Sequence, residues 1–286
     1  MPKTAYTLTM PDERTTGVVF ASPHSGRNYP WSFLRRSVLD EKTVRSSEDA
    51  FVDQLFAMAP LMGAPLIAAE APRAFVDLNR SSEELDPALV EGAPVSSHNP
   101  RVTSGLGVIP RVVANGRSIY RGKISRKEAE MRLNQHWHPY HSRLQNLIDT
   151  AIEGFGQAIL IDCHSMPHEA VDAVSHAPGP RPEIVIGDRF GAAARTDVVD
   201  RVEDAFRRAG FTVIRNAPFA GAYTAQHYGR PSRGQHVVQV EIDRSLYMNE
   251  TMIRPNGNFA AFRSQIADVV AELVEIGRPS LPLAAE

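Results

Sequence analysis

The sequence predicts an α/β fold, a three-layer αβα sandwich with a mixed central sheet, and three observations lead to it. Short apolar runs of strand formers recur between amphipathic helical segments along most of the 286 residues. Several of those runs follow one another with no helix between them, which a wholly parallel sheet does not allow. The strongest of them, residues 159–161, ends abruptly in Asp162-Cys163-His164-Ser165. Ligands in open α/β sheets sit beyond the carboxyl ends of strands, so a strand stopping on Asp, His and Ser marks a place where chemistry is expected.

The elements follow in order. Residues 17–21 form a short strand that runs into Ser22-Pro23-His24-Ser25-Gly26, where Pro and Gly end it and a second histidine stands at a strand end. Glu48 and Asp49 precede Phe51, Val52, Leu55 and Phe56, so a helix is expected to open near Asp49, with the two acids as caps or as functional groups. Residues 66–69 read as a buried strand and residues 74–79 as another short one, flanked by Arg73 and Arg80. Guanidinium groups present a planar fork that fits carboxylates, which makes Arg73 and Arg80, with Asn79 beside them, candidate substrate clamps. Residues 81–122, rich in Pro, Gly, Ser and Asn, are expected to form a long irregular excursion over a binding site.

Residues 125–155 carry the clearest helical pattern, opened by a Ser125/Glu128 capping pair and kinked or split by Pro139. They also hold His136, His138 and His141, but no carboxylate stands one turn away on the shared face, so metal binding is not expected there. His168-Glu169-Ala170-Val171-Asp172 begins like the His-Glu-x-x-His zinc helix and lacks its second histidine. A strand at 183–188, a helix at 192–209 and a strand at 211–214 precede a Gly- and Tyr-bearing loop. The strand 236–243 then alternates Val238, Val240 and Ile242 with Gln239, Glu241 and Asp243, so Glu241 projects from the face opposite the aliphatic residues. Residues 259–273 close the chain with a helix that Gly277 and Pro279 stop.

Composition narrows the function. With 43% hydrophobic and 22% charged residues the chain buries a full core, and the absence of a linker or repeat favours one domain over residues 1–286. A net charge of -2 gives no reason to expect nucleic acid or an anionic membrane as partner, so a small molecule is expected. No apolar run is long enough to cross a bilayer, and a single cysteine, Cys163, suits the cytoplasm and rules out internal disulfides.

Catalytic zinc takes about three ligands from His, Asp or Glu and keeps a position open for water. His24, one acid of the Glu48/Asp49 pair and His164 supply such a set, with Glu241 as the candidate base. Cys163 and His164 are adjacent on extended backbone and face opposite ways, which excludes a Cys-His pair, and Ser165 lacks a Gly-x-Ser-x-Gly elbow.

The sequence resembles the N-formylglutamate amidohydrolases, also called N-formylglutamate deformylases. The matching pieces are residues 22–26, Ser47-Glu48-Asp49, residues 73–80, Asp162-Cys163-His164-Ser165, residues 219–229, and residues 234–241 with Tyr247-Met248. The resemblance implies a zinc-carboxypeptidase-like (phosphorylase/hydrolase-like) sandwich and one catalytic Zn2+. It also implies release of formate from N-formyl-L-glutamate, as at the end of a histidine-degradation route. Carried over by position, it puts metal ligands at His24, Asp49 and His164, with Glu48 the alternative acid. It puts the general base at Glu241 and substrate-binding groups at Arg73, Asn79 and Arg80. Some members carry Thr-Asp-Trp-His where this chain has Glu48-Asp49-Ala50-Phe51, and a Gly-His-Ile-Thr type run near 222–225. Another N-acyl amino acid or short peptide is therefore the alternative substrate, and a non-catalytic ligand binder on the same fold the alternative class.

Overall fold

The computed structural model describes residues 4–94, 99–172 and 180–279. Seven strands form one sheet: β1 (Tyr6–Thr9), β2 (Val18–Ser22), β3 (Leu66–Ala69), β4 (Ala158–Met166), β5 (Ile184–Gly187), β6 (Val213–Arg215) and β7 (Gln235–Asp243). Their order is β1-β3-β2-β4-β7-β5-β6. The central four strands run parallel, whereas β1 pairs antiparallel with β3 and β5 antiparallel with β7. The sheet is mixed, as expected, and helices cover both faces.

Alternation along β4 and β7 assigns the layers. Ile159, Ile161, Cys163, Val238, Val240 and Ile242 point to the face covered by α1 (Val52–Leu55), α4 (Thr196–Arg208) and α6 (Phe259–Ile276). Ala158, Leu160 and Val237 point to the other face, under α2 (Arg126–Arg132) and α3 (His138–Phe155). Each large aliphatic side chain buried this way contributes about 1.5–3 kcal/mol. Farther along that second face the same alternation continues with Asp162, His164, Gln239 and Glu241, and the parallel register sets Asp162 beside Gln239 and His164 beside Glu241. The aliphatic end anchors the strands, and the polar end is held rigid by that packing.

The chain between α2 and α3 shows how the sequence bends this scaffold. Ser125 Oγ accepts a hydrogen bond from Glu128 N at 3.2 Å and starts α2. Leu133–Trp137 then widens into a π-helical turn before α3, which absorbs the donor that Pro139 lacks. Three expectations need correction. The helix after Asp49 is a single turn, Val52–Leu55, because Phe51 adopts a left-handed φ of 69° and Asp49 N donates to His24 O instead. Residues 74–79 form turns and not a strand: Phe75 N bonds Pro72 O, and Asp77 Oδ1 folds back to accept Asn79 N at 2.8 Å. The Gly- and Tyr-bearing loop contains a short helix, α5 (Tyr223–Tyr228).

The excursion 81–122 is irregular apart from short turns such as the helix Pro100–Thr103, and its residues 95–98 lie outside the described residues. Its Leu106, Pro110 and Val112 line a cleft together with His164 and Glu241 at the polar end of the sheet. No helix among the described residues is long and apolar enough to cross a membrane.

Candidate active site

His24 lies just past the end of β2, His164 near the end of β4, and Asp49 on the segment hydrogen-bonded to the His24 carbonyl. All three are buried, and their donor atoms lie within 4.8 Å of one another. His164 Nδ1 stands 3.1 Å from His24 Nδ1 and 3.0 Å from Asp49 Oδ2, and His24 Nδ1 stands 3.4 Å from Asp49 Oδ2. Ligand bonds of about 2.0–2.2 Å at tetrahedral angles give edges of roughly 3.3 Å between ligand atoms, so the triangle has the size of one face of a zinc-type coordination tetrahedron.

The rest of each imidazole is fixed to match. His24 Nε2 meets Asp77 Oδ1 at 2.7 Å and His164 Nε2 meets Asp162 Oδ2 at 3.1 Å. A carboxylate on Nε2 holds the proton there and turns the Nδ1 lone pair toward the centre, the arrangement that orients histidine ligands around metals. Three acceptor atoms then face one another at hydrogen-bond distance, which requires a cation or a proton among them. Although burial works to raise Asp49, hydrogen bonds from His164 and His24 hold it well below the ordinary carboxylate range. Burial likewise works to lower His164, but Asp162 and Asp49 hold it well above the ordinary histidine value. The carboxylates that surround the two imidazoles give the centre a negative field, which favours a cation there. The residues present therefore fit a divalent cation.

The sequence model described as N-formylglutamate amidohydrolase matches residues 16–248. The chain belongs to the N-formylglutamate amidohydrolase family. It is 30% identical over 241 residues to the N-formylglutamate deformylase of Pseudomonas putida, covering 82% of each chain. To the N-formylglutamate deformylase of Pseudomonas aeruginosa it is 29% identical over 269 residues, covering 90% of this chain and 91% of the other. The crystal structure of N-formylglutamate amidohydrolase from Ralstonia eutropha JMP134 superposes with a TM-score of 0.87 at 33% identity, over 94% of this chain and 97% of that one.

In this family member the His24–Asp49–His164 triangle opens into a cleft of about 600 Å³, the size of a small-molecule site. Glu241 lines it beside His164, its Oε1 accepting Gln239 Nε2 at 2.9 Å. Gln239 Oε1 in turn accepts Ala222 N at 3.2 Å, tying Glu241 to the rim segment before α5. Burial raises Glu241 to about 7, with His164 opposing the shift and Asp49 adding to it. A carboxylate near 7 is matched to taking and returning a proton at neutral pH.

The structure brings the predicted substrate groups to the same cleft and shows what each holds. Arg73 Nε bonds Asp77 Oδ2 at 3.1 Å, beside the oxygen that holds His24. Asn79 Nδ2 donates to Asp162 Oδ2 at 3.4 Å, the oxygen that holds His164 Nε2, and its Oδ1 accepts Thr224 N, so its amide is committed at both ends. Arg80 lines the cleft with its backbone carbonyl held by Trp137 Nε1 at 2.8 Å. Glu48 is paired with Arg45 at 2.9 Å and takes no part in the triangle. His141 bonds Leu78 O and Tyr228 OH, which braces the 78–80 turn.

Sequence reasoning gave no role to Asp77, Asp162 or Arg244. Arg244 Nη2 donates to Asp49 Oδ1 at 3.0 Å and its Nε to Ser165 Oγ at 3.1 Å, fixing the oxygen of Asp49 that faces away from the histidines. Asp162 had a signal, as a carboxylate two residues before His164 on the same strand face. Arg244 had none, because its partner lies 195 residues away.

Proposed function

We propose that this chain hydrolyses the formyl amide of N-formyl-L-glutamate with one zinc ion held by His24, Asp49 and His164. The reading rests most on the triangle of His24 Nδ1, His164 Nδ1 and Asp49 Oδ2, with both imidazoles anchored by Asp77 and Asp162. Zinc bound there would supply a Lewis acid that polarises the formyl carbonyl and acidifies water. Glu241 takes a proton from the attacking water as its oxygen bonds to the formyl carbon, then delivers that proton to the leaving nitrogen. The carbon–nitrogen bond breaks, giving formate and the free amino acid. Arg73 and Arg80 engage substrate carboxylates, and Asn79 acts by steadying His164.

The relatives named N-formylglutamate deformylase support this choice of substrate. The two large apolar clusters lie against one sheet, in keeping with a single domain over residues 1–286. The free, buried thiol of Cys163 accords with a cytoplasmic setting. The test is formate release from a panel of N-formyl and N-acetyl amino acids. Turnover of N-formyl-L-glutamate is expected, and turnover confined to acyl groups other than formyl would overturn the proposed reaction.

A further inference from the structure

The four guanidinium groups of the cleft are not equivalent. Arg73 is paired with Asp77 at 3.1 Å and Arg244 with Asp49 at 3.0 Å. Arg80 and Arg101 line the same cleft, and neither has a carboxylate within ion-pair distance among the described residues. Arg80 is 6% exposed, which makes it a buried cation without a counter-ion. Its Nε donates to Leu106 O and its Nη1 to Asn79 O, both at 3.0 Å. A guanidinium carries five N–H groups, so about three of them, including both on Nη2, have no acceptor among the described residues.

A charge left this way inside a protein is costly unless an anion completes it. Burial draws Arg80 below its ordinary value, Asp77 opposes that, and the like charges of Arg73 and Arg101 add to it. Arg101 is fixed at its base by the excursion: Asn99 Oδ1 accepts Arg101 N at 3.0 Å, while Asn99 Nδ2 donates to Glu84 at 3.0 Å. Leu106, whose carbonyl Arg80 holds, lines the cleft with Val112, an apolar wall suited to a methylene stem.

We propose that Arg101 joins Arg80 in an anion subsite that receives the side-chain carboxylate of the substrate. This deepens the deformylase reading and rests on it. Two guanidinium forks offer donors for both oxygens of a carboxylate, and an uncharged amide in the same place leaves Arg80 without a counter-charge. Arg101 is the specificity-determining residue of the pair, because Arg80 also braces the turn beside the metal site.

The experiment compares kcat/KM for N-formyl-L-glutamate and N-formyl-L-glutamine in wild type, Arg101→Ala and Arg101→Glu. The wild type is expected to favour the glutamate substrate, and Arg101→Ala to shrink that preference about 10- to 100-fold, through KM. Arg101→Glu is expected to reverse it. A preference unchanged in both variants, or missing from the wild type, overturns the subsite. Calorimetry with glutarate and butyrate reads the subsite without turnover: glutarate is expected to bind more tightly than butyrate, and Arg101→Glu to erase the difference. If no N-formyl substrate is turned over, the deformylase reading has failed, and equal binding of glutarate to wild type and Arg101→Glu separately overturns the subsite.

Discussion

The Nδ1 atoms of His24 and His164 lie 3.1 Å apart although 140 residues separate the two histidines in the chain. The contact joins the ends of β2 and β4, neighbours in the sheet, and places the two lone pairs against Asp49 Oδ2. Such a meeting of acceptors is stable around a cation, and each of the consequences below tests part of it.

The carboxylates behind the histidines are expected to matter nearly as much as the ligands. Asp77→Asn and Asp162→Asn each keep the shape of the side chain but weaken the hold on the Nε2 proton. Each is expected to cost about 10- to 100-fold in zinc affinity, read by competition with a fluorescent chelator. Affinities equal to wild type in both variants would mean that these carboxylates do not orient the histidines.

Glu241→Gln removes the proposed base and keeps its size. Turnover is expected to fall about 10²- to 10⁴-fold with KM little changed and metal content intact. A variant with ordinary kcat would show that the proton is carried by another group.

The raised pKa of Glu241 also has a sign for stability. Its ordinary value is 4.5 and burial in the fold raises it to about 7. The folded state therefore holds the proton more tightly than the unfolded chain, and stability declines as pH rises from 4.5 towards 7. In metal-stripped protein, Glu241→Gln is expected to gain stability relative to wild type at pH 8, by at most about 3 kcal/mol, with a smaller gain at pH 5.5. Urea unfolding at the two pH values reads the difference. In the active enzyme a neighbouring cation favours the carboxylate, so the acid limb of kcat/KM is expected at or below about pH 7.

Arg132 links the core to the site. It is 1% exposed, stands over the Phe75 ring at 4.1 Å, and donates to Phe75 O and Tyr120 OH at 3.1 and 2.7 Å. Arg132→Met leaves those acceptors without their donor and is expected to lose about 2–4 kcal/mol of stability by chemical denaturation. Because Phe75 opens the turn that carries Asp77, weaker zinc binding is expected alongside. A variant as stable as wild type would show that packing alone holds this turn.

Much of this site was legible in the sequence because strand alternation is a local rule. The pattern Val238, Val240, Ile242 against Gln239, Glu241, Asp243 fixed which way Glu241 points, and the abrupt ends of β2 and β4 marked His24 and His164. Turns were harder to read. Residues 74–79 carry strand formers, yet Asp77 bends the backbone by accepting from Asn79 N, and that carboxylate then serves His24. The helix expected at Asp49 gave way because the histidines, Arg244 and the His24 carbonyl compete for Asp49, interactions that exist only after the sheet has formed.

The most direct test measures zinc per chain and formate release from N-formyl-L-glutamate on the same samples: as purified, stripped with a strong chelator, and reloaded with zinc. The account predicts loss of both on stripping, return of both with one zinc per chain, and no return in Asp49→Ala. Full formate release from stripped protein with no detectable metal would contradict it.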